Sequence, residues 1–323
     1  MFLLNVAYLI FGLVGLYFGG EFLVKGSSRV ALALKISPLI IGLTIVAIGT
    51  SAPELFVSII AAFQDRPGIA LGNVIGSNIA NVGLILGFTG ALRALTVQET
   101  LVKREIPILV VITLYATIMI LDGNISRIDG FMLLFGFGVF NYLFLQLARN
   151  PQKPEEAVDM DLPEEDVAPD QVNIPLEVGR IVVGVALLVI GGNSMVEGAS
   201  NIALAVGVSE LVVGVTVVAF GTSLPELATS LTAAMKGETD IAIGNVIGSN
   251  VANLLLVLGT TSAITPINVG TTDLSIIEYV IMLGFTFMLI PFARNRELSR
   301  AESALFLGIY VAFIAYSFFP TAS

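Results

Sequence analysis

Residues 50–87 read TSAPELFVSIIAAFQDRPGIALGNVIGSNIANVGLILG, and residues 222–259 read TSLPELATSLTAAMKGETDIAIGNVIGSNVANLLLVLG. The two stretches align without a gap and are identical at more than half of the aligned positions. The same register extends upstream, where GGEFLVKGSSRVALAL, from Gly19, aligns with GGNSMVEGASNIALAV, from Gly191. We call this constant pairing the repeat offset. Such self-similarity predicts two copies of one structural unit. The most similar residues are polar ones inside apolar segments, which favours a shared function over a duplication for stability alone.

The composition is typical of a membrane protein. Of the 323 residues, 56% are hydrophobic and 12% are charged, whereas an ordinary soluble domain has about 25% charged residues. The mean hydropathy is +0.94. The chain has no cysteine and no histidine, which excludes disulfides, thiol chemistry and catalytic sites that need an imidazole. We therefore expect a membrane protein that is not an enzyme and carries no cofactor.

Ten segments are long and apolar enough to be membrane-spanning helices, which need roughly 20 mostly apolar residues. They are residues 3–24, 38–62, 69–92, 105–121, 129–148, 178–197, 210–235, 241–265, 274–293 and 303–319. The first of them lacks a preceding basic residue and a cleavage pattern, so we expect a membrane helix there and not a signal peptide. The fold class expected is an all-α polytopic membrane protein.

An acidic segment divides the ten predicted helices into two groups of five. We expect a first repeat at residues 1–148, an acidic cytoplasmic linker at 149–177, and a second repeat at 178–323. The linker lacks apolar periodicity, and its acids do not follow the D-x-D-x-D-G pattern of a calcium loop. Because five is an odd number, the second repeat enters the membrane in the opposite direction. Inverted repeats of this kind recur in secondary transporters.

The basic residues predict an orientation. With ten spans, thirteen Lys and Arg residues lie in loops on one side of the membrane, and only Arg66 and Arg127 lie on the other. The side rich in basic residues normally faces the cytoplasm. Both chain termini should therefore lie outside.

Glu54 and Glu226 occupy equivalent positions in the two repeats, in the middle of predicted spans. An ionisable side chain at that depth costs about 2.5–3.5 kcal/mol even on a lenient insertion scale. No Lys, Arg or His lies at a comparable depth in the core segments. A bound metal ion or exchangeable protons would neutralise the two carboxylates.

Oxygen-bearing side chains accompany both glutamates, and hard cations prefer such ligands. Helical spacing would put Thr50 and Glu54 on one face. The candidate ligands from the residues alone are Thr50, Ser51, Glu54, Asn73, Ser77 and Asn81 in the first repeat, and Thr222, Ser223, Glu226, Asn245, Ser249 and Asn253 in the second.

A proline precedes each glutamate, at Pro53 and Pro225. Proline has no backbone N–H, so carbonyl groups one turn earlier, around Gly49 and Gly221, lose their helical partners. We expect an interrupted helix in each repeat, with free carbonyl groups beside each glutamate.

The motifs GTSAPEL, GNVIGSNIAN, GTSLPEL and GNVIGSNVAN resemble those of the calcium/cation antiporter superfamily, and within it the prokaryotic sodium/calcium exchangers. The resemblance covers essentially the whole chain. It implies exchange of cytoplasmic Ca²⁺ for external Na⁺ by alternating access, in the cell membrane of a prokaryote. It also implies cation ligands at Thr50, Ser51, Glu54, Ser77, Asn81, Thr222, Ser223, Glu226 and Ser249, with backbone carbonyl ligands at Ala47 and Ala219.

One residue departs from the pattern of the family. Well-studied sodium/calcium exchangers carry an aspartate in the second repeat where this chain has Asn253, so the site is symmetric with Asn81. Two carboxylates match one Ca²⁺ or two monovalent ions, and charge balance alone leaves the coupling ion open. The alternatives are an antiporter that is coupled to H⁺ or involves K⁺, and, from another class, a cation channel. The expected partners are these cations and the lipid bilayer, with no nucleic acid.

Overall fold

The computed structural model describes residues 2–64, 67–149, 172–205, 219–271 and 276–317. Helices make up almost all of these ranges. They are α1 (Phe2–Leu34), α2 (Pro38–Thr50), α3 (Ala52–Phe63), α4 (67–92), α5 (Leu101–Leu121), α6 (Arg127–Arg149), α7 (Ile174–Ala205), α8 (Ala219–Thr222), α9 (Leu224–Lys236), α10 (Thr239–Ile264), α11 (Ile276–Ala293) and α12 (Arg300–Ser317). Four strands of two residues each are β1 (Leu95–Thr96), β2 (Asn124–Ile125), β3 (Ile267–Asn268) and β4 (Glu297–Leu298).

Seven helices of the described part are long and apolar enough to cross a membrane, and the bent pair α2–α3 brings the number to eight. The seven are α1, α4, α5, α6, α7, α10 and α11. The prediction of an all-helical polytopic membrane protein is confirmed. The predicted span 210–235 lies partly outside the described residues, at 210–218, and its remainder forms α8 and α9. Most of the predicted linker, residues 150–171, also lies outside them.

The first helix of each half is longer than predicted. α1 continues to Leu34 and not to residue 24, and α7 runs from 174 to 205 and not from 178 to 197. Basic residues such as Lys25 do not end α1, because a long charged side chain can extend to the membrane surface while the backbone stays helical. A helix of 33 residues is about 50 Å long, which exceeds a hydrocarbon core of about 30 Å. Tilting accommodates such a length.

Glycines bring α1 and α7 into close antiparallel contact. A Cβ atom on Gly12 would lie 2.7 Å from the carbonyl oxygen of Gly191, and one on Gly19 would lie 3.0 Å from that of Gly184. These contacts recur every seven residues along both helices. Small residues allow membrane helices to approach backbone to backbone, so α1 and α7 form one closely packed pair.

Matching helix breaks occur at Ser51 and Ser223. Ser51 has φ −79° and ψ 7°, and Ser223 has φ −88° and ψ 4°. Each break precedes a first turn that contains a proline, where the missing N–H disturbs no helical bond. The axes of α2 and α3 differ by 44°. The predicted interruption is therefore present in both halves.

Both strand pairs connect the two halves of the chain. β1 pairs with β4 in an antiparallel register that places Leu95 opposite Leu298. β2 pairs with β3 in the same manner, with Ile125 opposite Ile267. β1 and β3 are equivalent at the repeat offset, so the two pairings are related by the internal repeat.

Candidate cation site

The two glutamates lie at equivalent places, each in the first turn of the helix that follows a break. Glu54 is in the first turn of α3 and Glu226 in that of α9, and both are 1% exposed. The unpaired N–H groups of a helix N-terminus stabilise a nearby negative charge. The two carboxylates are also close enough to repel each other. Because two buried negative charges repel each other, a cation bound between them would be stabilised.

Hydroxyl groups cross between the halves at the glutamates. Ser51 Oγ donates to Glu226 Oε1 at 3.2 Å. Ser77, Thr222 and Ser223 face the carboxylate of Glu54. Each carboxylate therefore has hydroxyl neighbours from the other half of the chain.

Thr50 is held at the site by contacts with residues of the second half of the chain. Its hydroxyl donates to Asn245 Oδ1 at 3.0 Å and lies 3.4 Å from Ser249 Oγ. The predicted i, i+4 spacing of Thr50 and Glu54 does not fall within one continuous helix, because α2 ends at Thr50 and the break at Ser51 separates the two residues. The site is assembled by tertiary contacts and not by one continuous helix.

Asn73 and Asn245 hold the glutamate backbones. Asn73 Nδ2 donates to the carbonyl oxygen of Glu54 at 3.0 Å and to Ser58 Oγ at 2.9 Å. Asn245 Nδ2 does the same with the carbonyl of Glu226, at 3.3 Å, and with Ser230 Oγ, at 2.9 Å. Ser58 and Ser230 were not predicted, although their identity at the repeat offset was a usable signal.

The equivalent residues Asn81 and Asn253 differ in their bonding. Asn81 Nδ2 donates to Asn250 Oδ1 at 3.0 Å, whereas neither polar atom of the Asn253 side chain has a partner in the described part of the chain. Asn250, which was also not predicted, repeats Asn78 of the first half. Both Asn81 and Asn253 lie in π-helical turns, at Asn81–Leu86 and Ala252–Val257, which are frequent at functional sites.

Several buried oxygen atoms of the site lack a donor. Among the described residues, no hydrogen bond reaches Oε2 of Glu54, Oε2 of Glu226, Oγ of Ser223 or Oδ1 of Asn81. Buried polar atoms are normally satisfied, and an unsatisfied carboxylate oxygen is especially costly. Carboxylate, hydroxyl and amide oxygens are the ligands of hard cations such as Ca²⁺. The chemistry of these atoms therefore fits a cation as the bound species.

Among the described residues, no basic side chain forms an ion pair with either glutamate. The ion pairs of the described residues involve other acids, such as Glu177 with Arg29 and Arg180. Within the same ranges, no group of three or more His, Cys, Asp or Glu side chains is placed to hold a metal ion. The site thus combines two carboxylates with neutral oxygen atoms.

The two predicted carbonyl ligands lie in the helical turns just before the breaks, Ala47 in the last turn of α2 and Ala219 in α8. The carbonyl oxygen of Ala47 accepts the N–H of Ser51 at 3.0 Å and the hydroxyl of Thr50 at 3.3 Å. Ala219 is the first described residue of α8, three residues before Thr222. Pro53 has no N–H to offer the carbonyl of Gly49, as the sequence suggested.

Comparison with known proteins places the chain in a family. The sequence profile of the family described as sodium/calcium exchanger protein matches residues 4–146 and again residues 176–319. CaxA of Alkalimonas amylolytica is 38% identical over 98% of both chains. The sodium/calcium exchanger MaX1 of Methanosarcina acetivorans is 33% identical over 99% of this chain and 100% of its own.

A solved structure has the same fold. The sodium-calcium exchanger NCX_Mj, soaked with Na⁺ and Ca²⁺, superposes with a TM-score of 0.84 and 33% sequence identity. The match covers 98% of this chain and 99% of that one. The chain therefore belongs to the sodium/calcium exchanger protein family.

Proposed function

We propose that this protein is a secondary-active antiporter that extrudes Ca²⁺ in exchange for Na⁺ by alternating access. The observation that carries the proposal is the pair of buried carboxylates, Glu54 and Glu226, contributed by the two halves and faced by neutral oxygen atoms. Two negative charges are balanced by one Ca²⁺ or by two Na⁺. The two kinds of ion therefore compete for one site, and the protein exchanges one for the other.

The proposed ligands come from both halves in equal number. Carboxylate, hydroxyl and amide groups supply most of the oxygens, and two backbone carbonyls supply the rest. The set is Ala47, Thr50, Ser51, Glu54, Ser77 and Asn81 from the first half, and Ala219, Thr222, Ser223, Glu226, Ser249 and Asn253 from the second.

We propose that the protein has ten membrane spans in two inverted repeats, at residues 1–148 and 178–323. An acidic linker at 149–177 joins the repeats. The separate matches of one family profile to each half support this arrangement. So do the equivalent helix breaks at Ser51 and Ser223. We place the protein in the plasma membrane of a prokaryote, with both termini outside, on the strength of the basic residues on one side.

The part of the protein that we propose to move is the pair of long helices α1 and α7. Their glycine contacts hold them together, so a displacement of one carries the other. Sliding of packed helices is a common form of conformational change. We propose that this pair slides against the remaining helices and opens the site to one side of the membrane at a time.

Flux measurements on the purified protein in proteoliposomes test this function. We expect ⁴⁵Ca²⁺ uptake into vesicles loaded with Na⁺ and diluted into a Na⁺-free medium, and little uptake without the Na⁺ gradient. Glu54→Gln and Glu226→Gln should each reduce this uptake to background, because one negative charge no longer balances Ca²⁺. Glu99→Gln, at an acid whose side chain is 43% exposed and which lies outside both motifs, is the matched control and should exchange normally.

The same vesicles distinguish the competing functions. Uptake driven by a pH gradient, and not by Na⁺, would identify an H⁺-coupled antiporter. A requirement for K⁺ together with Na⁺ would add K⁺ to the transported ions. Ca²⁺ movement that needs no counter-ion would identify a channel, and normal exchange by both glutamine variants would refute the assignment of the site.

A further inference from the structure

The internal repeat predicts two equivalent contacts between the long helices and the rest of the molecule, but only one of them is close. On α1, a Cβ atom at Gly20 would lie 2.8 Å from Thr232 Oγ1 and 3.2 Å from the carbonyl oxygen of Ala228, both on α9. At the repeat offset, the equivalent of Gly20 is Gly192 on α7. A Cβ atom there would lie 3.7 Å from the carbonyl oxygen of Gly221 and from Pro225. α1 is therefore docked on α9, whereas the described part of α7 is not docked in the same way on α3.

The uncovered surface of α3 carries larger side chains. Phe56 and Ile60 are the equivalents of Ala228 and Thr232, and they are 63% and 54% exposed. Small side chains on α9 permit the close approach of α1. The two sides of the pseudo-symmetric molecule thus differ in chemistry as well as in conformation.

An ion pair spans the close contact. Lys236 Nζ, at the end of α9, lies 2.5 Å from Glu21 Oε2 on α1, and the two side chains are about 30% exposed. Glu238 is another acid near Lys236, and its side chain also faces Ser28 of α1. The contact between α1 and the end of α9 is therefore electrostatic as well as steric.

The equivalent positions in the other half are neutral. Gln64 corresponds to Lys236, and Asn193 corresponds to Glu21. Both are exposed. A conformation in which the two halves exchange roles would separate Glu21 from Lys236 and would form no ion pair between Gln64 and Asn193.

We propose that the ion pair between Glu21 and Lys236 is a one-sided latch, which stabilises the conformation with α1 docked on α9 over the conformation with α7 docked on α3. This inference rests on the proposed alternating access. The latch makes the two conformations unequal in free energy although the scaffold is internally symmetric. It would therefore set how often the site opens on each side of the membrane, without touching the transported ion.

The repeat itself supplies the substitutions that test the latch. Lys236→Gln and Glu21→Asn give each position the residue of its equivalent. A partly exposed ion pair contributes up to about 1 kcal/mol, so each variant should change the ratio of the two conformations by roughly 2- to 5-fold. The exchange of charges in Glu21→Lys with Lys236→Glu should restore the original ratio. The converse double variant, Gln64→Lys with Asn193→Glu, should favour docking of α7 on α3.

The measurement is a distance distribution between spin labels in lipid nanodiscs. Because the chain has no native cysteine, labels can be attached at Leu34→Cys, at the end of α1, and Met235→Cys, at the end of α9, where both side chains are exposed. Latch variants should add to the population of the longer distance. Lys103→Gln, which breaks an ion pair with Glu99 that does not involve α1, is the matched control and should leave the distribution unchanged.

The outcomes separate the latch from the proposed function. If Lys236→Gln and Glu21→Asn leave the distance distribution unchanged, or if the exchange of charges does not restore it, the latch is refuted while Na⁺-driven Ca²⁺ uptake by the parent protein still supports the antiporter. If the parent shows no Na⁺-driven uptake, the function is refuted by that result alone.

Discussion

Among single residues, Asn245 joins the two halves at the site while also holding the backbone of a glutamate. It accepts from the Thr50 hydroxyl and donates to the Glu226 carbonyl and to Ser230. It is fully buried, at 0% exposure. Its equivalent, Asn73, is only half-buried and bonds to Glu54 and Ser58, both of its own half. The two asparagines have nearly the same sequence context, but Asn245 bonds to both halves of the chain and Asn73 bonds only to its own half.

We expect Asn245→Ala to destabilise the protein more than Asn73→Ala. Truncation at 245 removes hydrogen bonds from buried partners at a place closed to water, at about 1–3 kcal/mol for each group left unsatisfied. Truncation of the half-buried Asn73 leaves a space that water can enter from the surface. Thermal unfolding of the two purified variants in the same detergent measures the difference. A larger loss of unfolding temperature for Asn73→Ala would contradict the structure. The Ca²⁺ concentration for half-maximal uptake should also rise more for Asn245→Ala.

The residue at position 253 sets the number of charges in the proposed ligand set. With two carboxylates, one Ca²⁺ and two Na⁺ both give a neutral site, so we expect exchange by the parent protein to be insensitive to membrane potential. Asn253→Asp has nearly the same shape and breaks no hydrogen bond of the described residues. It adds a third negative charge, which one Ca²⁺ leaves unbalanced and three Na⁺ balance.

We therefore expect Ca²⁺ uptake by Asn253→Asp to depend on a potential imposed with K⁺ and valinomycin. The parent protein in the same vesicles is the control. An equal response of the parent and the variant would mean that the charge at 253 does not enter the transported complex. A strong response of the parent would show that its stoichiometry is not set by two carboxylates.

At the scale of the helices, the contact between α1 and α7 depends on glycine at defined positions. A Cβ atom on Gly191 would lie 2.9 Å from the carbonyl oxygen of Gly12, whereas one on Gly179, in the same helix, meets nothing within 4 Å. Both changes to alanine raise helix propensity by about 1 kcal/mol. Only the first forces two backbones apart, which costs about 1–3 kcal/mol.

Gly191→Ala should therefore lower the free energy of unfolding, and Gly179→Ala should leave it unchanged or raise it by up to about 1 kcal/mol. Unfolding temperatures of the two variants, measured side by side in one detergent, provide the test. If Gly191→Ala is as stable as Gly179→Ala, the two helices are not in close backbone contact, and the proposal that they slide as one pair loses its support.

The sequence predicted those features of the helices that depend only on residues close to each other in the chain. Hydropathy predicted membrane helices from stretches of roughly 20 residues, and the prolines at 53 and 225 predicted the breaks within one turn. The bond from Thr50 to Asn245 was not predictable, since periodicity does not tell which segments of two repeats meet. The repeat did contain the missed residues Ser58 and Ser230, which are identical at one offset. The ends of α1 and α7 were missed because hydropathy indicates which residues can lie in the bilayer, whereas both helices continue beyond their apolar stretches.

For the whole molecule, the remaining question is its direction in the membrane, and the two strand pairs offer places to determine it. The proposed inverted repeats would place the β1–β4 pair and the β2–β3 pair on opposite sides of the membrane, and the proposed orientation would put the first pair in the cytoplasm. Asn295, beside β4, and Asp122, beside β2, are both exposed. Since the chain contains no cysteine, a single cysteine at either position is the only thiol of the protein.

We expect a membrane-impermeant maleimide to label Asp122→Cys in intact cells and to label Asn295→Cys only after the membrane is permeabilised. The cysteine-free parent should show no labelling under either condition. The reverse pattern would keep the inverted repeats and overturn the orientation. Labelling of both positions in intact cells would place the two strand pairs on the same side, which an odd number of spans in each repeat does not allow, and would therefore refute the ten-span arrangement itself.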